Sequence, residues 1–207
     1  MGLAALLLKD PFTFLLLVVP LLYSVIAHEV AHGVVALWFG DATAQRAGRL
    51  TLNPLSHLDP IGSLMLFMVG FGWAKPVPVD YRRLLRTRLG MIAVALAGVF
   101  VNILLAAAAL ALLRSGRFNA NTLLTTLLSV LAQINVTLAA FNLIPIPPLD
   151  GSKVVLALLP QSKWNTFGRL ERYGFALLLL MILTGIWRPV VGWMQGWVLD
   201  LIRLLFH

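Results

Sequence analysis

Two histidines four residues apart, with a glutamate directly after the first, stand at His28-Glu29-Val30-Ala31-His32. On a helix, residues i and i+4 share a face, so both imidazoles reach one metal ion. The glutamate points elsewhere around the helix, where it can take a proton from water polarised by that metal. The chemistry of such a set is hydrolysis. In soluble proteins H-E-x-x-H is often no more than a run of solvated charges on an exposed helix face. Here the residues from Phe12 to Ala27 carry no charge. Ionisable side chains in such an apolar segment are costly and mark functional sites. A bound zinc, one per chain, would compensate for three of them within five positions.

Two histidines make an incomplete site, because catalytic zinc takes three protein ligands and keeps a fourth position for water. The chain has no cysteine, so the third ligand must come from His57, His207 or a carboxylate. The best candidate is Asp150, in Asn142-Leu-Ile-Pro145-Ile-Pro-Pro-Leu149-Asp150-Gly151. Prolines fix the approach to it, and Gly151 lets the backbone turn tightly or come close to another group. Asp150 has an alternative role as the cap of a helix beginning near Ser152. His57, the rival ligand, lies beside a proline turn in Ser56-His57-Leu58-Asp59-Pro60, where a loop-stabilising hydrogen bond fits it better.

These residues must be positioned within a membrane. The 207 residues are 60% hydrophobic and 12% charged, with mean hydropathy +0.91, whereas soluble domains carry about 25% charged residues. The length suits one compact domain over 1–207, with a catalytic core at 12–153 and C-terminal helices at 154–207. The net charge of +8 does not point to nucleic acid, since the bases lie in loops between apolar runs, where they set topology and meet lipid headgroups. Absence of cysteine excludes disulfides, thiolate ligands and a cysteine nucleophile.

Phe12–Phe39, Leu89–Leu113 and Thr122–Ile144 are each long enough to span, which takes about 20 apolar residues. The first is a retained helix, since no small-residue cleavage pattern follows it. Tyr173–Trp187 is a further span, and Val190–Phe206 a weaker one that spans or lies in the interface. Ile61–Trp73 is too short to cross and fits a re-entrant segment. Ala42–Ser56, semi-polar and threonine-rich, reads as a small interfacial β-hairpin or extended segment. The fold class is therefore an all-α polytopic membrane protein with about five to six membrane segments. With Ile61–Trp73 returning to its own side, eleven basic residues face one side and four the other, with Arg203 unassigned. The positive-inside rule makes the first side cytoplasmic. His28–His32 and Asp150 then fall at one depth, as a shared metal site requires.

H-E-V-A-H-G at 28–33, together with N-x-x-P-x-x-x-L-D-G at 142–151, resembles the site-2 protease family of intramembrane zinc metalloproteases. G-R-L-T-L-N-P-L-S-H-L-D-P-I-G-S-L at 48–64 and G-W-A-K-P-V-P-V-D at 72–80 look like its small prokaryotic branch. The resemblance covers about Tyr23 to Lys153. HExxH alone is weakly specific, but its pairing with a distant LDG in a polytopic chain is highly specific. The resemblance implies zinc held by His28, His32 and Asp150, with Glu29 as general base. It also implies transmembrane protein substrates, in the prokaryotic cytoplasmic membrane. At the family's asparagine position, Asn142 would bind substrate or the oxyanion; its alternative is an interhelical hydrogen bond. The branch's A-G-P before an asparagine is here Ala97-Gly98-Val99 before Asn102, a departure expected to alter helix kinking, and no PDZ-like domain is inserted. A metal-binding transporter or channel is the competing class, since histidines and carboxylates in spans also mark ion pathways. Such a protein has no need of Glu29 between the two histidines, whereas hydrolysis does.

Overall fold

In the computed structural model, residues 3–69, 72–84, 88–118 and 120–206 are described. His207, one of the possible third ligands, lies outside them, as does Arg86 of the basic loop. The described chain is built of helices: α1 (Leu3–Lys9), α2 (Pro11–Trp38), α3 (Thr43–Arg46), α4 (Pro60–Val69), α5 (Tyr81–Leu84), α6 (Arg88–Arg114), α7 (Thr122–Asn142), α8 (Asp150–Leu158), α9 (Trp164–Thr184) and α10 (Trp187–Leu204). Asp10 starts α2 by accepting the Thr13 N–H at 3.0 Å. Asn121 starts α7 by accepting the Leu124 N–H at 3.0 Å. Both satisfy amides that a helix start would leave orphaned.

Among the described residues, three helices are long and apolar enough to cross a membrane: α2, α6 and α7. The count rises to four if the bent pair from Glu171 to Leu204 is one span. Length and apolarity thus account for three or four of the expected five to six membrane segments. Two of the others, the C-terminal stretches, form a pair bent by 97°. The break falls at Gly185, whose φ of 75° is a conformation natural to glycine. A third, α4, has only ten residues. The chain around α4 nevertheless returns to where it began. Leu58 and Ala74 form an antiparallel bridge, and the Lys75 N–H donates to the His57 carbonyl at 2.8 Å. Gly62 and Gly72 close the return backbone to backbone: a Cβ on Gly62 would lie 2.1 Å from the Trp73 carbonyl oxygen.

The β-hairpin expected at Ala42–Ser56 does not form. Thr43–Arg46 is a turn of α-helix and Pro54–Ser56 a turn of 3₁₀-helix, and no strand occurs among the described residues. The physical reason is local. Asp41 accepts the Thr43 N–H at 3.0 Å and Asn53 accepts the Leu55 N–H at 3.1 Å, and such side-chain bonds favour helical turns over ladders. Ala44, Gln45 and Arg46 are also good helix formers.

The core runs between α6 and α7. Val99, Ile103, Ala106 and Ala107 of α6 pack on Val136, Ala139 and Ala140 of α7, and Val191, Val198 and Ile202 of α10 close the cluster. Helices in a membrane gain nothing from merely being apolar, so small residues that permit close approach supply the packing. Outward from this core, Leu183, Trp193, Trp197 and Leu204 are exposed, as an apolar solvent allows.

Candidate metal centre

On α2, a polar stripe repeats every four residues: Ser24, His28 and His32, all buried. It faces a second stripe of the same period on α6: Val94, Gly98 and Asn102. His32 Nδ1 lies 2.6 Å from the Val94 carbonyl oxygen and His28 Nδ1 lies 2.6 Å from Asn102 Oδ1. Gly98 makes room between them, since a Cβ there would sit 2.5 Å from the His28 ring. By the helical rise, His32 and His28 lie about 9 and 15 Å before the α2 end at Trp38.

The amide orientations determine the tautomers. The Asn102 Nδ2 group donates to Asn135 Oδ1 at 2.8 Å, and the Asn135 Nδ2 group donates to Ser24 Oγ at 2.8 Å and to the Leu131 carbonyl at 2.9 Å. The oxygen of Asn102 is thereby turned to His28, and it can only accept. His28 Nδ1 must carry the proton, as must His32 Nδ1, which meets a carbonyl. In the neutral rings both Nε2 atoms are then lone-pair acceptors.

These two acceptors converge. The Nε2 atoms are 3.1 Å apart, and Asp150 Oδ2 lies 3.0 Å from one and 3.1 Å from the other. His28, His32 and Asp150 are the one group among the described residues whose His, Cys or carboxylate atoms gather within 4.8 Å. Four-coordinate zinc with bonds of about 2.0–2.1 Å has ligand atoms about 3.3–3.4 Å apart. A triangle of three buried acceptors on that scale repels itself unless a cation or protons sit between them. Neutral imidazoles and a carboxylate, without thiolates, suit zinc. The residues fit the metal.

Asp150 reaches this point because the Leu143–Leu149 connection folds back tightly, with a cis peptide between Pro147 and Pro148. A Cβ on Gly151 would lie 2.3 Å from the Leu143 carbonyl oxygen, so the close approach expected of this glycine occurs. Asp150 begins α8 but gives the helix no side-chain cap bond. Its other oxygen, Oδ1, lies 3.0 Å from Lys153 Nζ. Burial pushes the Asp150 carboxyl up, and the charge of Lys153 beside it works the other way. Burial disfavours the Lys153 cation as well, yet Tyr81 and Asp150 raise it above an ordinary lysine.

Beside the triangle is a cavity of about 280 Å³, lined by His28, Glu29, His32, Val77, Asn142 and Lys153 among others. Glu29 is half-buried and does not join the triangle. Its Oε2 accepts the Val77 N–H at 2.9 Å. Val77 belongs to a stretch held by Arg49, which donates to the Lys75 carbonyl at 2.7 Å. The Pro76-Val77-Pro78 order keeps that stretch extended. Asn142 lines the cavity and donates one amide N–H to Leu138 of its own helix at 3.0 Å. The interhelical amide bonds are made by Asn102 and Asn135 instead. His57 is elsewhere: it is buried, with Nε2 donating to the Thr51 carbonyl at 2.8 Å, and lines no part of the cavity.

Sequence reasoning passed over Asn102, Asn135, Lys153, Tyr81 and Val77. The two asparagines carried a signal, since polar side chains inside apolar spans are costly. The four-residue spacing of Ser24, His28 and His32 was another.

The sequence model of Peptidase family M50 matches residues 115–183, the part that carries Asn142, Asp150 and Lys153. The chain is 40% identical over 177 residues to YwhC of Bacillus subtilis strain 168, covering 81% of this chain and 80% of the relative. It is 30% identical over 196 residues to Rip2 of Mycobacterium tuberculosis H37Rv, covering 91% of this chain and 74% of the relative. Rip2 of Mycolicibacterium smegmatis is 29% identical over 176 residues, covering 83% and 68%. All three relatives are named as zinc metalloproteases. No solved structure matches the chain.

Proposed function

Because the chain belongs to peptidase family M50, the site-2 protease family of zinc metalloproteases, we propose that it cleaves peptide bonds in or near transmembrane segments of membrane proteins. In this reading His28, His32 and Asp150 hold the zinc, Glu29 is the general base and Asn142 binds substrate. The observation that carries it is the convergence of three buried acceptors, 3.0–3.1 Å apart, beside a cavity that also presents a carboxylate outside the triangle. When bound, zinc supplies the Lewis acidity that polarises the scissile carbonyl and acidifies water.

The protein's own groups do the rest. Asn102 and the Val94 carbonyl hold the two histidines in the ligating tautomer. Glu29 takes a proton from the attacking water as the new C–O bond forms, then delivers it to the departing nitrogen as the C–N bond breaks. Its carboxylate is held at the cavity by the Val77 amide. Asn142 keeps one amide N–H beyond that bonded to Leu138, and this is available to a substrate carbonyl.

The carbonyls of a helical substrate are bonded within the helix and are closed to attack. A transmembrane substrate must therefore unwind locally to be cut, and its freed backbone groups need partners. Within Ala42–Ser56 only Thr43–Arg46 and Pro54–Ser56 are helical turns; the extended backbone that lines the cavity is that of Pro76–Val79. The basic loops support a site near the cytoplasmic border of the cell membrane.

Glu29→Gln tests the assignment. Its amide keeps the shape of the carboxylate but cannot take a proton. Zinc content should stay near one per chain, while cleavage of a reporter transmembrane helix by the same preparation falls roughly 100- to 10,000-fold. Cleavage near the wild-type rate would end the hydrolytic reading of Glu29 and bring metal transport forward.

A further inference from the structure

Lys153 stands where neither helix physics nor metal binding favours a cation. It is in the first turn of α8, three residues after Asp150, at the end of the helix whose dipole repels positive charge. Its side chain is only 29% exposed, and a buried charge is costly unless paired. It also lines the cavity with His28, Glu29 and His32, so it adds a positive charge beside a site that gathers a divalent cation. On charge alone, it weakens metal binding.

What Lys153 contributes is geometry. Its ammonium lies 3.0 Å from Asp150 Oδ1, on the side of the carboxylate away from the imidazoles, while Oδ2 faces both Nε2 atoms at 3.0 and 3.1 Å. A carboxylate rotates readily and offers two equivalent oxygens. Fixing one of them leaves a single oxygen to present. The ammonium is itself kept in place by Tyr81, whose ring centroid is 5.6 Å away, a cation–π contact. Tyr81 opens α5, at the end of the extended stretch that bears Val77.

We infer that Lys153 is a positioning residue, which pins Asp150 Oδ1 so that Oδ2 alone serves as ligand, with Tyr81 as the wall that seats it. This rests on the reading of Asp150 as a zinc ligand. It deepens that reading by giving the carboxylate a dedicated partner, just as Asn102 and Val94 are partners of the imidazoles. Such outer partners of ligands orient them and are worth about 10- to 100-fold in metal affinity.

The sign of the effect separates positioning from simple charge. If Lys153 acted only through its charge, neutralising it would tighten zinc binding; if it positions Asp150, neutralising it loosens binding. Zinc dissociation constants are to be measured by chelator competition on the purified 207-residue chain in detergent, with thermal unfolding of the zinc-free form as the check on folding. Lys153→Met should weaken zinc about 10- to 100-fold, and Lys153→Arg should stay within about threefold of wild type, since a guanidinium also pairs with a carboxylate. In an Asp150→Ala background Lys153→Met should cost nothing further, because the group it acts through is gone. The same methionine in that double variant controls for packing. Unchanged or tighter binding by Lys153→Met, failure of arginine to rescue, or an equal loss in the Asp150→Ala background would each overturn the inference while leaving the ligand reading intact. Wild-type zinc affinity in both His28→Ala and Asp150→Ala would instead overturn the ligand reading itself.

Discussion

Asn102→Ala is the sharpest probe of how the histidines are held. The native side chain accepts from His28 Nδ1 at 2.6 Å and donates to Asn135 Oδ1 at 2.8 Å. Truncation removes the reason for the proton to sit on Nδ1. The His28 ring can then move its proton to Nε2, where Asp150 Oδ2 waits at 3.0 Å. That hydrogen bond suits the metal-free protein but must be broken before zinc binds. A lost outer partner of a ligand is worth about 10- to 100-fold in metal affinity, or about 1.4 to 2.7 kcal/mol. Asn135 Oδ1 is also orphaned in a buried position, which costs about 1–3 kcal/mol of stability with or without metal. The two effects separate when zinc affinity by chelator competition is paired with thermal unfolding at fixed free zinc and in excess chelator. Stability without zinc should fall modestly, and the increment that zinc adds should shrink by the affinity loss, as linkage requires. Asn102→Asp offers the opposite split. Its carboxylate still accepts from His28 but can no longer donate to Asn135, so zinc affinity should survive while the fold weakens. If Asn102→Ala binds zinc within about threefold of wild type, with an unchanged zinc increment, the tautomer argument is refuted.

Three other outcomes are expected. Gly98→Ala brings a Cβ within 2.5 Å of His28 Nδ1 and should cost at least about tenfold in zinc affinity; Gly192→Ala, which meets nothing within 4 Å, should keep zinc and gain up to about 1 kcal/mol of helix stability. Asp150→Ala should lose zinc markedly, whereas His57→Ala should keep it and lose about 1–3 kcal/mol of stability through the orphaned Thr51 carbonyl; metal analysis of both preparations decides. Cysteines placed at Arg46, Lys75 and Lys163 should be labelled by an impermeant reagent from the cytoplasmic side and one at Arg117 from the other, and labelling of positions 46 and 75 from opposite faces would show that the intervening chain crosses the membrane.

The legible parts of the sequence were those carried by a single helix. His28 and His32 at i and i+4 announce a shared face, and three long apolar runs announce α2, α6 and α7. The stretches that failed had competing local chemistry. Ala42–Ser56 is semi-polar and threonine-rich, as a hairpin would be, but Asp41 and Asn53 give their side chains to the backbone and set helical turns at Thr43–Arg46 and Pro54–Ser56. The C-terminal runs form two helices bent by 97° about Gly185, a turn that hydropathy does not register.

The least legible feature was the pairing between helices. Ser24, His28 and His32 form one four-residue stripe and Val94, Gly98 and Asn102 another, and each is visible by itself. Nothing in one sequence says that the two run antiparallel in register, so that a carbonyl, a gap and an amide fall opposite two imidazoles. Because of this, Ala97-Gly98-Val99 before Asn102 read only as a change in helix kinking, although a Cβ on Gly98 would lie 2.5 Å from the His28 ring and Asn102 Oδ1 lies 2.6 Å from it. The arrangement also explains why such costly residues are tolerated at this depth. Within a bilayer each polar group must find its partner inside the protein. The path from Ser24 through Asn135 and Asn102 to His28 gives every amide along it an acceptor. At its end lie two imidazole lone pairs and a carboxylate, whose remaining demand is for a cation.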